Sequence, residues 1–217
     1  MMTELKLPPE LAAVAVAEPD VLARLNAALV RAAAADGLVD VAYRVVDSPV
    51  GQLLLAGTEA GLVRVAFASE GHDAALEQLS AAVSPRVLRA PARLDAAARE
   101  LEEYFAGRRQ LFDLPLDFRL ASGFRREVLD HLPEIGYGHT ASYAAVAAMT
   151  SSPRAVRAVG TACARNPLPL VVPCHRVVRS DGSQGAYLGG TEAKALLLAL
   201  EANAPTPTDA RAATGHF

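Results

Sequence analysis

Apolar and polar positions alternate along the chain with two distinct periods, and the changes of period mark its elements. Val21, Leu22, Leu25, Ala28 and Leu29 recur at helical spacing, with Pro19-Asp20 as a start signal and Gly37 as a stop. The pattern then becomes strand-like. Val41–Val46 is rich in branched residues, and Ser48-Pro49-Val50-Gly51 makes a turn. Gln52–Ala56 and Leu62–Ala68 read as two more strands around Thr58-Glu59-Ala60-Gly61. Together they predict a small antiparallel β-meander. Helical spacing returns at Asp73–Val83 and Ala96–Phe105, the second ending in Ala106-Gly107. Leu111–Leu120 reads as extended, and Pro115 confines it to an edge.

From Ser122 onward the pattern predicts short helices joined by tight turns. Ser122 is placed to cap Phe124–Leu132, and Ser142 to cap Tyr143–Met149. Ser151-Ser152-Pro153 opens a third helix running through Arg165, with proline near its favoured first position. Two helices joined through Thr150–Ser152 have the outline of a helix-turn-helix. A further helix is expected over Thr191–Leu200, and the polar tail from Asn203, with Pro205 and Pro207, is expected to be disordered. The fold class is therefore α+β: a helical extension over 1–40, an α+β unit over 41–121, a mostly helical unit over 122–202 and a tail over 203–217.

Composition limits what such a chain can be. Of 217 residues, 52% are hydrophobic and 21% charged, enough apolar material for a packed core and too much for a disordered chain. No apolar run approaches the roughly 18 residues of a membrane span, and MMTELKLPPE lacks the layout of a secretory signal. A cytoplasmic protein is expected. Net charge is −3, but residues 1–121 carry 12 basic against 17 acidic side chains, whereas 122–202 carry 8 against 6. Charge alone names no nucleic-acid partner. Two cysteines, Cys163 and Cys174, are too few for a disulfide framework or an all-cysteine zinc site, and His72, His131, His139 and His216 show no ligand spacing with them. Neither metal nor cofactor is implied.

The chemistry concentrates in Asn166-Pro-Leu-Pro-Leu-Val-Val-Pro-Cys-His-Arg-Val-Val. A cysteine next to a histidine and an arginine is in an electropositive setting of the kind that lowers a thiol pKa, and the thiolate is the nucleophile. The structural alternative is an inert cysteine ending a buried apolar strand, Leu168–Val172. Cys163, on the third helix, reads by the same rule as a small buried hydrophobe, with a second reactive thiol as the alternative.

The segment Pro173-Cys174-His175-Arg176-Val177 resembles the active-site signature of the O6-alkylguanine-DNA alkyltransferases, also called methylated-DNA–protein-cysteine methyltransferases. Tyr137-Gly138, Ser142-Tyr143, Pro153–Gly160, Asn166-Pro167, Gly182, Tyr187, Gly189-Gly190, Lys194 and Glu201 follow in family order. Asp47–Gly51 and Tyr104–Gly107 are fainter landmarks, and nothing matches over 1–40 or 203–217. The resemblance implies that residues 122–202 bind DNA and transfer the alkyl group while 41–121 serve as scaffold. It implies that Cys174 takes an alkyl group from O6-alkylguanine, and possibly O4-alkylthymine, once and irreversibly, in double-stranded DNA approached from the minor groove with the nucleotide flipped out.

In such proteins a water joins the cysteine to a histidine oriented by a glutamate, here His175 and Glu201. Tyr143 is implied to donate to the departing base, and Asn166 to shape the turn before the cysteine. Pro169, Cys163, Tyr187, Leu188 and the backbone of Val177 would line the base pocket. Arg157 would fill the gap in the stack, with Ala155, Ala158 and Gly160 permitting close approach and Arg154 near phosphate. A monomer is expected. The sequence departs from the family at Gly136, His139, Ala186 and Leu188, which leaves the range of alkyl groups open. Three other readings compete: a lesion sensor that flips the base without reacting, a helix-turn-helix regulator, and a cysteine hydrolase. The first lacks a use for Cys174, the second for Pro-Cys-His-Arg-Val, and the third wants a nucleophile motif the chain does not have.

Overall fold

A computed structural model describes residues 19–203. Residues 1–18 and 204–217, and with them most of the expected tail, lie outside the described residues. Helix α1 (Pro19–Ala35) forms where its spacing places it. Its leucine stripe faces outward, however: Leu22, Leu25 and Leu29 are each more than half exposed. Ala23, Ala27 and Val30 of the helix face Arg89–Arg93 across a shallow cleft.

Strands β1 (Val41–Val46), β2 (Leu53–Thr58) and β3 (Gly61–Phe67) form the expected antiparallel meander. A fourth strand, β4 (Val87–Arg89), adds to β1 in parallel, giving the order β3-β2-β1-β4. The sheet is thus mixed and not purely antiparallel. Three residues are too few to show a period, which is why β4 is invisible in the sequence. Val63 bulges out of β3, since Leu62 and Arg64 pair with the consecutive residues Gly57 and Ala56. The bulge lets Leu62, Val65 and Phe67 all face one core.

Each face of the sheet has its own cover. Leu54, Ala56, Val63 and Ala66 pack with Ala75 and Leu79 of α2 (His72–Ala82). Leu53, Leu55, Val65 and Phe67 pack with Leu101 and Tyr104 of α3 (Asp95–Phe105), and this core continues into the helices beyond residue 121. The segment around Pro115 runs along the edge of β3. Pro115 supplies a carbonyl to Leu62 N (2.8 Å) and needs no N–H of its own, while Asp117 N returns to Leu62 O (2.8 Å). Gly61, at φ 139°, permits this pairing, because a Cβ there would collide with the Pro115 carbonyl.

The second half contains α4 (Gly123–His131), α5 (Tyr143–Ala148), α6 (Val156–Ala164) and α7 (Gly190–Ala202), plus a two-stranded parallel pair, β5 (Ala141–Ser142) with β6 (Val177–Val178). Ser142 Oγ accepts from Ala145 N at 3.0 Å, the expected cap. Ser122 takes the cap position of α4 with extended backbone, but its side chain makes no cap hydrogen bond. The third helix begins later than expected. A turn closed by Ala155 N to Ser152 O (2.9 Å) occupies Ser152–Ala155, with Pro153 at its second position, where a fixed φ favours a turn. The α5–α6 connection therefore spans residues 149–155, and Glu127 of α4 secures it by accepting from Ser151 Oγ at 2.8 Å.

Candidate active site

Asn166–Pro173 is not a strand. Pro167, Pro169 and Pro173 offer no backbone donors for a ladder, and Leu170 adopts the left-handed region at φ 74°. Such a residue is strained by roughly 1–3 kcal/mol and persists only where its surroundings force it. Here they do. Val172 N closes on Leu168 O, and Cys174 N on Val172 O, both at 2.8 Å. Pro167 O accepts from Val65 N of β3 at 2.8 Å, pinning the loop to the sheet. Cys174–Arg176 then forms one 3-10 turn.

Asn166 is buried at the centre of this loop. Its Oδ1 accepts from Leu168 N (2.9 Å), and its Nδ2 donates to Val172 O (2.8 Å) and to Cys174 Sγ (3.2 Å). The backbone partners fix which end of the amide is which. Asn166 therefore shapes the turn, as the resemblance implies, and also holds the nucleophile. Burial pushes the Cys174 thiol up to about 11, against the lowering effect of the Asn166 donor and, more weakly, of Lys194. The lowered thiol expected from its neighbours is not found. Arg176 faces away from the sulfur, and a fully buried thiolate pays more in lost hydration than those neighbours return. Replacing Asn166 with aspartate would remove the donor and set a negative charge beside the sulfur. We expect alkyl transfer to slow by about ten- to a hundredfold in single-turnover assays, the range for losing a hydrogen bond to a charged group.

His175 and Arg176 both turn toward Glu201, in the last turn of α7. His175 Nε2 lies 2.8 Å from Glu201 Oε1, Arg176 Nε lies 2.9 Å from Oε2, and Arg176 Nη2 lies 3.0 Å from Oε1. Gly138 N (3.2 Å) and Tyr104 Oη (2.7 Å) also donate to this carboxylate. Arg176 Nη1 completes its set on Ile135 O at 2.7 Å. Burial alone would raise Glu201, but the His175 and Arg176 hydrogen bonds outweigh it and hold the group at about 2. Burial holds His175 below its ordinary range, against the pull of Glu201. An ionised glutamate can only accept, so the neutral imidazole carries its proton on Nε2. Nδ1 is left as a buried acceptor with no protein partner among the described residues. Glu201 is therefore part of the buried site and not a solvated charge at a helix end.

Around this centre, Tyr143 starts α5, and burial raises its hydroxyl above the ordinary range, with the two cysteine sulfurs adding to the effect. A Cβ on Gly185 would collide with that hydroxyl, and one on Gly160 would lie 4.0 Å from Tyr143 Cε1. The second distance is ordinary contact, so Tyr143 needs a glycine at 185 but not at 160. Tyr187 sets its ring edge-on to His175 (6.2 Å) and to Phe67 (5.5 Å). A Cβ on Gly189 would lie 2.6 Å from the Phe67 ring. Pro169 and Cys163 are buried, and burial raises the Cys163 thiol far above its usual range. The Val177 carbonyl, part of the backbone expected to line the base pocket, accepts from the buried Lys194 Nζ at 2.6 Å and keeps a second lone pair. Leu188 is half-buried, with its carbonyl 3.4 Å from Ser69 Oγ, beside a cavity it shares with Arg64, Glu70, Arg165 and Pro167.

On α6, Val159, Ala162 and Cys163 face the core, while Arg157 and Ala158 are exposed. Ala155 is half-buried ahead of the helix, and Arg154 is exposed in the preceding turn. Neither Arg154 nor Arg157 forms an ion pair with an acid among the described residues. No helix among the described residues is long and apolar enough to cross a membrane. Tyr104, Gly138 and Lys194 received no role from sequence. Tyr104 carried a usable signal: it continues the apolar stripe Ala97-Leu101-Tyr104, and a tyrosine on a core stripe needs a partner for its hydroxyl.

Comparison with known proteins identifies a family. Residues 41–118 match the family described as 6-O-methylguanine DNA methyltransferase, ribonuclease-like domain, and residues 123–203 match the DNA binding domain of the same name. A methylated-DNA–protein-cysteine methyltransferase of Methanosarcina barkeri is 39% identical over 74% of this chain and 97% of its own. The constitutive Bacillus subtilis enzyme of that name is 39% identical over 73% and 94%. The crystal structure of the Mycobacterium tuberculosis O6-methylguanine methyltransferase superposes with a TM-score of 0.68 at 35% identity, covering 77% of this chain and 96% of that one. The Mycobacterium tuberculosis OGT in complex with DNA superposes at 0.63, with 36% identity over 74% and 92%. With a buried cysteine held by an asparagine, a histidine tied to a glutamate, and relatives this similar across nearly their whole length, the chain belongs to the methylated-DNA–protein-cysteine methyltransferase family.

Proposed function

We propose that this protein repairs DNA by moving a methyl or other alkyl group from O6-alkylguanine to Cys174 in a single, irreversible turnover. The observation that carries the reading is the chain Asn166–Cys174 and His175–Glu201: a buried thiol with a donor on its sulfur, adjacent to a neutral imidazole with a free acceptor nitrogen. Because the thiol is protonated in the free protein, the proton must leave as the sulfur attacks. Successive side chains on a 3-10 turn point about 120° apart, so a water relay from Sγ to His175 Nδ1 suits the geometry. The sulfur attacks the alkyl carbon, the carbon–O6 bond breaks, and its electron pair stays on the guanine. The departing base takes a hydrogen bond or a proton from Tyr143. The thioether does not hydrolyse, so the protein acts once.

A buried sulfur cannot reach a base inside a duplex, so the nucleotide is flipped out. Exposed Arg157 on α6 would occupy the gap in the stack, with Ala155 and Ala158 allowing close approach from the minor groove and Arg154 near phosphate. Pro169, Cys163, Tyr187 and Leu188 would surround the extruded base. The protein acts as a monomer, and a thiol reagent belongs in a reducing compartment such as the cytoplasm. The test is to mix the protein with a duplex containing one O6-methylguanine and weigh both. One methyl gained per protein, at most, with guanine restored, is the expected outcome. Continued turnover, or unchanged protein beside unrepaired DNA, would overturn the reading and favour a lesion sensor.

A further inference from the structure

The tightest contact on Glu201 from outside its own half of the molecule comes from the sheet half. Tyr104 precedes Glu201 by 97 positions, and its side chain is fully buried. Its ring sits among Phe105 (5.4 Å), Phe112 (5.3 Å) and Tyr137 (6.0 Å), which leave the hydroxyl one direction to point. That direction ends on Glu201 Oε1 at 2.7 Å, the same oxygen that accepts from His175 Nε2 at 2.8 Å. With Arg176 Nη2 at 3.0 Å, three donors converge on that atom. Burial and the glutamate charge hold the phenol far above its ordinary range, so it remains a donor. Tyr104 and His175 therefore share the electron density of one carboxylate oxygen.

We propose that Tyr104 is a positioning residue for alkyl transfer, supplied by the sheet half, which aims Glu201 Oε1 and limits how strongly it draws on the His175 proton. The inference rests on Cys174 as the alkyl acceptor and His175 as its base. Without the phenol, Oε1 gives more of its charge to Nε2–H. The imidazolium is then favoured, and a larger share of the protein holds His175 protonated, unable to accept the thiol proton. The sheet half thus acts on the chemistry and is more than a support.

The experiment compares wild type with Tyr104→Phe in saturating single-turnover transfer across pH, alongside a titration of the His175 ring nitrogens by NMR. One hydrogen bond, at about 0.5–1.5 kcal/mol, corresponds to roughly half a unit to one unit of pH. The acid limb of the rate profile and the His175 titration should both move up by that amount, with affinity for the duplex unchanged. Leu55→Ala, which opens the buried core of the sheet and leaves the rings around Tyr104 intact, should lower thermal stability without moving the limb. Should Tyr104→Phe fail to fold, 3-fluorotyrosine at position 104, a stronger donor of nearly the same shape, should move the limb down. A limb that stays put in the substituted protein, whatever its melting temperature, overturns the proposal. A wild type that gains no methyl overturns the alkyl-transfer reading instead, so the two failures are distinct.

Discussion

A Cys174→Ala protein should bind a duplex bearing O6-methylguanine and never gain the mass of a methyl group. The substitution removes one buried atom whose described hydrogen bond is from Asn166, so the fold should hold and lesion binding should persist. Transfer should fall to background, because no other sulfur is equipped to replace it. Cys163 is buried on α6, its thiol is raised further than that of Cys174, and no side-chain donor is directed at it among the described residues. Intact-mass measurement after incubation with O6-benzylguanine separates the two thiols. An adduct on the Cys174→Ala protein would make Cys163 a second acceptor and break the assignment of the chemistry to one sulfur.

Glu201→Gln should damage both stability and rate. The carboxylate accepts from Tyr104, His175, Arg176 and Gly138, and an amide can accept at only one of its two ends. The other end would turn an NH2 toward groups that are themselves donors. Arg176, 4% exposed, would keep its charge with no carboxylate opposite. Breaking a buried pair from one side costs about 3–5 kcal/mol, and in a chain of this size that lowers the melting temperature by roughly 6–20 °C. Loss of a positioned base typically slows a reaction by about 10²–10⁴, and single-turnover transfer should fall by at least the lower figure. Wild-type melting together with wild-type transfer would remove Glu201 from the site. The same carboxylate also sets an acid limit. Its pKa is depressed in the folded state, so its contribution is complete above the ordinary carboxylate range and is lost as pH falls toward about 2. His175 acts in the same direction at higher pH. Its folded pKa lies below its unfolded one, so protonation of the unfolded chain begins to weaken the fold as pH falls past about 6.5.

The sequence reveals most where period and chemistry agree. The three longer strands, the helix after Ser142 and the cluster around Cys174 come directly from spacing and residue type. It fails where a local rule is overruled by burial or by proline. Leu168–Val172 has the composition of a strand, but Pro169 within it, Pro167 and Pro173 beside it and the left-handed Leu170 make it a loop. A cysteine between basic neighbours suggests an activated thiol, but the chain buries that cysteine and aims Arg176 elsewhere. Glu201 looks like a helix-end charge because the partners that need it, at 104, 138, 175 and 176, are far away in sequence. Tyr104 is legible in the sequence as part of a family landmark. Its contact with the site is a fact of tertiary structure alone.

That long-range contact also governs when the protein becomes competent. Synthesis delivers Tyr104 first, then Gly138, then Cys174 with its two basic neighbours, and Glu201 after all of them. Until Glu201 arrives, Arg176 has no counter-charge, the His175 tautomer is not fixed, and α7 has not closed over the loop. Contacts this distant in sequence form late because their loop closure must come first. The single-use thiol proposed above is therefore completed by the last of its parts to be made, and a chain that stops short of Glu201 should discharge it only slowly.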